Sequence, residues 1–241
     1  MSVDHLAELF ERQPCVVLTG AGISTESGIP DFRSAEGIWA KYDPFEVAHI
    51  DAFRRDPARV WEFYGLRLNV LASAEPNDGH RALAALEERG LVRAVVTQNV
   101  DGLHARAGWR NLVEVHGSLR EAECIHCGAR VPMPAAVAQL PLPPCPECGE
   151  ILKPGVVMFG ETLPATAIER AQQLAADARL LLVVGSSLGV YPVAGLPEET
   201  LAAGGSLAIV NRGSTPWDAH AEVVIDGGAG ETLSALSAIV G

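Results

Sequence analysis

Four of the chain's cysteines fall in two close pairs, Cys124-x2-Cys127 and Cys145-x2-Cys148, with seventeen residues between the pairs. An array at this spacing suits a tetrahedral thiolate cage around one structural Zn²⁺, built on two short turns. Gly128 and Gly149 each follow the second cysteine of a pair, where tight metal-binding knuckles need positive φ. Two disulfides, or four unconnected thiols, are the alternatives that spacing leaves open. His126 lies between two of the cysteines, yet four thiolates already complete a tetrahedron, so it is expected to point outward. The array matters because it interrupts a chain whose remaining pattern is that of an α/β protein.

That pattern is a series of short, continuous apolar runs. Cys15-Val-Val-Leu-Thr19 has the look of a central parallel strand, and residues 92–97, 180–185 and 206–210 share it. A shorter fifth run covers 222–225. Amphipathic helical stretches separate them, notably 79–89, 164–178 and 193–203. Strands alternating with helices predict a Rossmann-like, doubly wound parallel sheet with ligands beyond the strands' C-terminal ends. Two segments break the rhythm. Residues 37–75 read as helical and rich in aromatic side chains, and 118–155 hold the cysteine pairs and a proline-rich stretch. The expected division is therefore 1–36, 76–117 and 156–241 for the main domain, with a helical insertion and a zinc-ribbon insertion forming a small domain. A cleft between domains is where small-molecule sites usually form.

Composition excludes several classes. The formal net charge of −12 argues against a nucleic-acid surface, which needs clustered Lys and Arg, and suits lysine-rich protein substrates better. Residues 1–14 are acidic and amphipathic, without the positive start and apolar core of a signal peptide. The longest apolar stretch, 180–185, is far too short to span a bilayer. With thiols that must stay reduced and no export signal, a cytoplasmic home is expected. Cys15 opens an apolar run and reads as a buried small hydrophobe.

Gly20-Ala21-Gly22-Ile23-Ser24 follows the first strand, where glycines let backbone N–H groups approach a pyrophosphate. Thr25 stands where a G-x-G-x-x-G fingerprint would place its third glycine, so the motif alone reads equally as a tight turn. Further along come Asp31-Phe32-Arg33, Gln98-Asn99-Val100-Asp101, His116-Gly117-Ser118, Gly185-Ser186-Ser187-Leu188 and Asn211-Arg212. By itself, Asp101 reads as the N-cap of a following helix. Taken together and in this order, the motifs resemble those of the sirtuins, NAD-dependent protein-lysine deacylases, over about residues 6–240.

The resemblance implies a role for each motif. Asn99 and Asp101 would hold the nicotinamide end of NAD, with Gln98 on the ribose. Asp31, Phe32 and Arg33 would form a mobile loop, Phe32 shielding the reacting sugar carbon from water. Gly20, Ala21, Gly22 and Thr25 would meet the phosphates. Gly185, Ser186, Ser187, Asn211, Arg212 and Ala229 would contact the rest of the dinucleotide. Six other histidines compete with His116, but it alone sits in the family's H-G-S position. Its ordinary pKa near 6.5 suits a general base at neutral pH, and it would act with Asn99 as the catalytic pair. The implied products are nicotinamide, O-acyl-ADP-ribose and free lysine, with zinc structural because four sulfurs leave no open position.

Tyr64 and Arg67 lie three apart on a predicted helix and share a face. A solvated surface pair is the bland reading. In the sirtuin setting, Tyr-x-x-Arg resembles the bacterial-type branch that removes succinyl and malonyl groups, where an Arg pairs a carboxylate through two parallel hydrogen bonds. The substrate backbone would add as a strand between 156–161, including Val157, Phe159 and Gly160, and 189–192, including Val190. Two rivals remain: transfer of ADP-ribose to a protein, and a zinc-stabilised module that binds NAD or ADP-ribose without turnover. No partner beyond acylated-lysine proteins is implied, and a monomer is consistent with this set.

Overall fold

The computed structural model describes residues 2–10 and 14–240, so parts of the 1–14 stretch and the final residue lie outside the described residues. Three strands, β1 (Cys15–Thr19), β2 (Val92–Thr97) and β3 (Leu112–Glu114), precede a small sheet of β4 (Gly117–Glu123), β5 (Arg130–Pro132) and β6 (Lys153–Val156). After them come β7 (Leu180–Val184), β8 (Ser206–Val210) and β9 (Val223–Ile225). The six outer members form one parallel sheet in the order β3-β2-β1-β7-β8-β9. The chain builds outward from β1 on one side, then returns to build outward from β7 on the other. The reversal between β1 and β7 is the switch point at which dinucleotides bind in this architecture.

These strands are apolar throughout because both faces of the sheet are covered. Cys15 and Val17 of β1 pack with Leu182 and Val184 of β7 on one face, beneath helices Val3–Leu9, Asp78–Glu88 and Ala229–Ile239. Val16 and Leu18 face the other way, with Leu181 and Val183, beneath helices Ala165–Asp177 and Leu196–Ala202. The two-residue period of the strand sends alternate side chains to opposite cores. Each such side chain, fully buried, contributes about 1.5–3 kcal/mol.

The predicted strands and helices appear with ends shifted by a few residues. The first part of 193–203 is a 3-10 turn, Val193–Gly195, ahead of the helix. Two further elements, β3, a three-residue edge strand, and helix Ala229–Ile239, complete the sheet and its cover beyond the expected set.

The antiparallel ribbon β5-β4-β6 belongs to a separate apolar cluster. It combines residues of 38–64, largely helical, with Leu119, Ala122, Leu152, Val156 and Met158. Trp61 on helix Pro57–Ser73 is fully buried there, and its indole N–H donates to the Leu152 carbonyl at 2.7 Å, tying the helical segment to the ribbon. Asp56 caps that helix by accepting the Arg59 N–H, and Pro57 opens its first turn. Strand β4 runs from the residue after His116 to the residue before Cys124, so one strand links the cleft to the cysteine cage. Among the described residues no helix is long and apolar enough to cross a membrane.

Candidate functional site: a dinucleotide cleft beside a four-thiol cage

Cys124, Cys127, Cys145 and Cys148 converge with their four sulfurs all within 4.8 Å of one another. Cys124 Sγ lies 3.6 Å from Cys148 Sγ, and Cys127 Sγ lies 3.6 Å from Cys145 Sγ. A disulfide needs about 2.05 Å, so these are free thiols. Zn–S bonds of about 2.3 Å in a tetrahedron place the sulfurs roughly 3.8 Å apart, and the cage fits one structural Zn²⁺. Gly128 (φ 79°) and Gly149 (φ 81°) take the left-handed turn each knuckle needs, and their N–H groups donate to the Cys124 and Cys145 carbonyls. His126 is exposed and outside the cluster, as expected.

A cavity of about 1270 Å³ opens between the sheet's C-terminal edge and the ribbon. Every residue assigned by resemblance to the cofactor or the substrate lines it, as does His116. Its floor is the switch point. The Gly22 N–H donates to the Gly185 carbonyl at 2.8 Å, crossing the two loops at close quarters. Gly185 turns at φ 61°, and a Cβ there would stand 2.3 Å from the Ile23 nitrogen. One on Gly22 would meet the Gly185 Cα at 2.7 Å. A backbone cradle this tight, opening the 3-10 turn Ala21–Ser27, fits a pyrophosphate.

Above the cradle, polar side chains are tied down in several separate groups. Asn99 donates to the Gly20 carbonyl and to Ser24 Oγ, both at 3.1 Å. Ser24 in turn donates to Asp101 Oδ2 at 2.7 Å. The other Asp101 oxygen accepts the Leu103 N–H at 2.9 Å, while the N-cap position of helix Leu103–Arg106 falls on Gly102, one residue beyond the expected Asp101. Burial pushes the Asp101 carboxyl above its usual range, against the pull of these hydrogen bonds and of Arg67 and Arg106. Gln98 donates to Ser186 Oγ at 2.8 Å, joining the ends of β2 and β7. Asn211 turns its amide onto the Arg212 and Gly213 carbonyls, fixing the loop after β8. Thr25 donates to the Gly22 carbonyl inside its own turn.

His116 is half-buried, and its Nδ1 lies 3.0 Å from the Gln98 carbonyl oxygen. A carbonyl only accepts, so Nδ1 carries the proton and Nε2 keeps the lone pair. Burial lowers its pKa below the ordinary value and the Arg33 charge does likewise, opposed by the bond to Gln98. The imidazole is thus neutral and basic at pH 7. The Val157 N–H donates to the His116 carbonyl at 2.9 Å, joining the histidine's backbone to the 156–161 segment.

Phe32 packs 5.1 Å from Trp39, and the Arg67 guanidinium lies 4.8 Å from the centre of the Phe32 ring. Asp31 folds its own loop, accepting the Arg33 and Ser34 N–H groups. Tyr64 is buried, and its phenol is pushed up to about 12, chiefly by desolvation. Arg67 is lowered from its ordinary range by burial, and among the described residues it forms no ion pair with a carboxylate. The solvated, salt-bridged reading of Arg67 therefore gives way to a cation set against an aromatic ring inside the cleft.

Three contributors were not assigned a role from sequence. Ser24 joins Asn99 to Asp101. Glu26 accepts the Gly230 N–H at 3.1 Å, at the start of helix Ala229–Ile239. Lys153 sits buried between Glu123 and Glu161. A hydroxyl inside a glycine turn was the one signal available beforehand, and it pointed to Ser24.

A sheet of this order, with two loops crossed at its switch point, defines a dinucleotide-binding protein. The model of the Sir2 family matches residues 20–192. NAD-dependent protein deacylase 2 of Pyrobaculum aerophilum is 48% identical over 95% of this chain and 91% of its own. NAD-dependent protein deacetylase of Sulfurisphaera tokodaii is 46% identical over 93% and 90%. A solved structure of Sir2 with a p53 peptide and NAD⁺ superposes with a TM-score of 0.91, at 38% identity over 99% of this chain and 98% of that one. The chain belongs to the Sir2 family.

Proposed function

We propose that this protein is an NAD-dependent protein-lysine deacylase that prefers succinyl- and malonyl-lysine to acetyl-lysine, in keeping with the bacterial-type branch. The deacylase part rests on the family and on a cleft built for a dinucleotide beside a neutral imidazole. The acyl preference rests on one observation: Arg67 is a half-buried cation in that cleft, beside the Tyr64 hydroxyl, and among the described residues no carboxylate forms an ion pair with it, the Asp101 charge acting on it from further off.

When bound, NAD supplies a ribose carbon that exchanges nicotinamide for the acyl oxygen. The chain's residues do the rest. The Gly20–Gly22 and Gly185 backbone and Thr25 seat the phosphates, and Ser186, Ser187, Asn211, Arg212 and Ala229 take the adenosine half. Asn99 and Asp101, joined through Ser24, hold the nicotinamide end, Gln98 meets the ribose, and Phe32 with Asp31 and Arg33 excludes water. His116 Nε2 takes a proton from a ribose hydroxyl. Val157, Phe159, Gly160 and Val190 present the edges on which the substrate backbone pairs. The division into a main domain of 1–36, 76–117 and 156–241 and a small one of 37–75 and 118–155 is supported by the separate apolar cluster of the lobe. Four reduced thiols suit a reducing compartment such as the cytoplasm.

A charge-assisted hydrogen bond contributes roughly 1.5–3 kcal/mol, and about 1.4 kcal/mol is a factor of ten, so Arg67 supplies about a ten- to hundredfold preference. Arg67→Met should lower kcat/KM for a succinyl-lysine peptide by that factor while an acetyl-lysine peptide changes little. Equal losses on both peptides would remove the acyl preference. ADP-ribose on the protein in place of O-acyl-ADP-ribose would identify a transferase instead.

A further inference from the structure

Lys153 opens β6 and is 1% exposed, among the least accessible side chains in the molecule. Its Nζ lies 2.7 Å from Glu123 Oε1 and 3.2 Å from Glu161 Oε2, and it donates to the Val156 carbonyl at 2.7 Å and the Pro154 carbonyl at 3.3 Å. A buried ammonium persists only where its charge and all its N–H groups are met, and here they are. The two carboxylates reach that ammonium from different segments, the end of β4 and the stretch that follows β6. Glu123 closes β4, next to Cys124 of the thiol cage. Glu161 ends the segment 156–161 that lines the cleft, and the oxygen that faces Lys153 also accepts the Met158 N–H at 2.8 Å.

The strand register gives this contact its leverage. Along the β4–β6 ladder, Glu123 pairs with Lys153 at the cage end and Gly117, next to His116, pairs with Val156 at the cleft end. Gly160, at φ 83°, leaves the segment beyond without strand geometry of its own. Its shape is held by the Val157 bond to His116, the Phe159 pairing with Ala48 and Ile50, the Glu161 bonds to Met158, and the Glu161 carboxylate held by Lys153. Glu161 also bears on the acyl pocket, since its charge is one of the influences that raise the Tyr64 phenol, after burial. Uncompensated, it would repel an anionic acyl group.

We infer that Lys153 is a positioning residue for the acyl-lysine substrate, locking the 156–161 segment into its peptide-pairing form and anchoring that form to the metal-bearing ribbon through Glu123. The inference rests on the deacylase reading. It assigns Lys153 and Glu161 to substrate binding rather than to cofactor binding or to zinc retention.

The test compares wild type, Glu161→Ala, Lys153→Met and Lys153→Arg, all zinc-loaded, by steady-state kinetics with a succinyl-lysine peptide and NAD and by zinc content. Glu161→Ala leaves Lys153 paired with Glu123, so the lobe should stand. Its peptide KM should rise at least about tenfold, the size of one lost charge-assisted contact, while KM for NAD stays within about twofold and one zinc per chain remains. Lys153→Met should do the same, and Lys153→Arg, which keeps the cation, should recover most of the loss. If Lys153→Met does not fold, Glu161→Ala decides by itself. A Glu161→Ala enzyme with unchanged peptide KM, or with equal losses for peptide and NAD, overturns the inference and leaves the deacylase reading intact. A wild type inert toward every acyl-lysine peptide overturns both.

Discussion

Strands β1 and β7 of the large sheet bury every residue they contain, whereas β4 of the ribbon buries only Leu119 and Ala122, and β5 buries none. The contrast separates two ways of holding a cleft wall in place. The sheet rests on many interchangeable apolar contacts, each contributing a little. The ribbon shares an apolar cluster with the helical segment and adds to it a few specific groups: four thiols gathered within 4.8 Å, one buried ammonium, and the Trp61 indole bonded to Leu152. Damage to the first should therefore be graded, and damage to the second nearly all-or-none.

Metal removal is the harshest way to break that comparison. Structural zinc binds comparable peptides with apparent free energies of about 10–16 kcal/mol, more than any one of the ribbon's apolar contacts contributes. Stripping zinc with a tight chelator should abolish peptide turnover and expose Trp61, seen as a red shift in its fluorescence. The amides of β1 and β7 should stay protected from hydrogen exchange. Should their protection vanish along with the ribbon's, the two halves fold as one unit and the distinction fails.

Leu182→Ala probes the other side. Leu182 is fully buried at the centre of β7, in the core beneath helices Asp78–Glu88 and Ala229–Ile239. Its truncation should cost about 2–5 kcal/mol of sheet stability by urea unfolding and leave one zinc per chain. Loss of zinc from this variant would show that the sheet carries the ribbon.

The same contrast explains what could be read from sequence. Apolar runs such as Cys15–Thr19 announce a strand covered on both faces, and the Gly20 and Gly22 spacing announces a close approach. The paired cysteines announce their cage. Strand β3, with three residues at the sheet's edge, is too short to carry a pattern. Helix Ala229–Ile239 begins in a glycine-rich stretch, and it buries a face drawn largely from small residues. Ser24 acquires meaning only when the fold brings Asn99 and Asp101 back to it from 75 and 77 positions away. Lys153 is a plain cation until β4 and β6 pair. Chemistry carried by spacing was legible, and chemistry created by tertiary pairing was not.

Histidines sharpen the comparison at a smaller scale. His80 and His104 are buried on the sheet side with ring centres 4.8 Å apart, whereas His126 of the ribbon is exposed. Burial, then the Arg81 charge, pulls His80 down to about 4, and burial, then His80 itself, holds His104 well below its ordinary value. Both rings therefore stay neutral in the folded protein at pH 5–6.5, while the unfolded chain takes up protons there. The unfolded state binds more protons, so stability is complete above about pH 6.5 and falls as the pH drops towards 4. Between pH 6.5 and 5 each histidine accounts for at most about 2 kcal/mol. His116, lowered chiefly by burial, adds in the same sense, while the raised carboxyls of Asp101 and Glu114 oppose it at the acid end. Urea midpoints of the zinc-loaded protein should fall from pH 7 to pH 5, and His104→Gln should remove the share of one of the three lowered histidines from that slope. The buried Thr19 hydroxyl, 2.9 Å from His104 Nε2, is a partner that glutamine can still meet. A flat profile, or an unchanged slope in the variant, would mean that the two rings hold a proton in the folded state and that this half is not the dry, apolar body its strands imply.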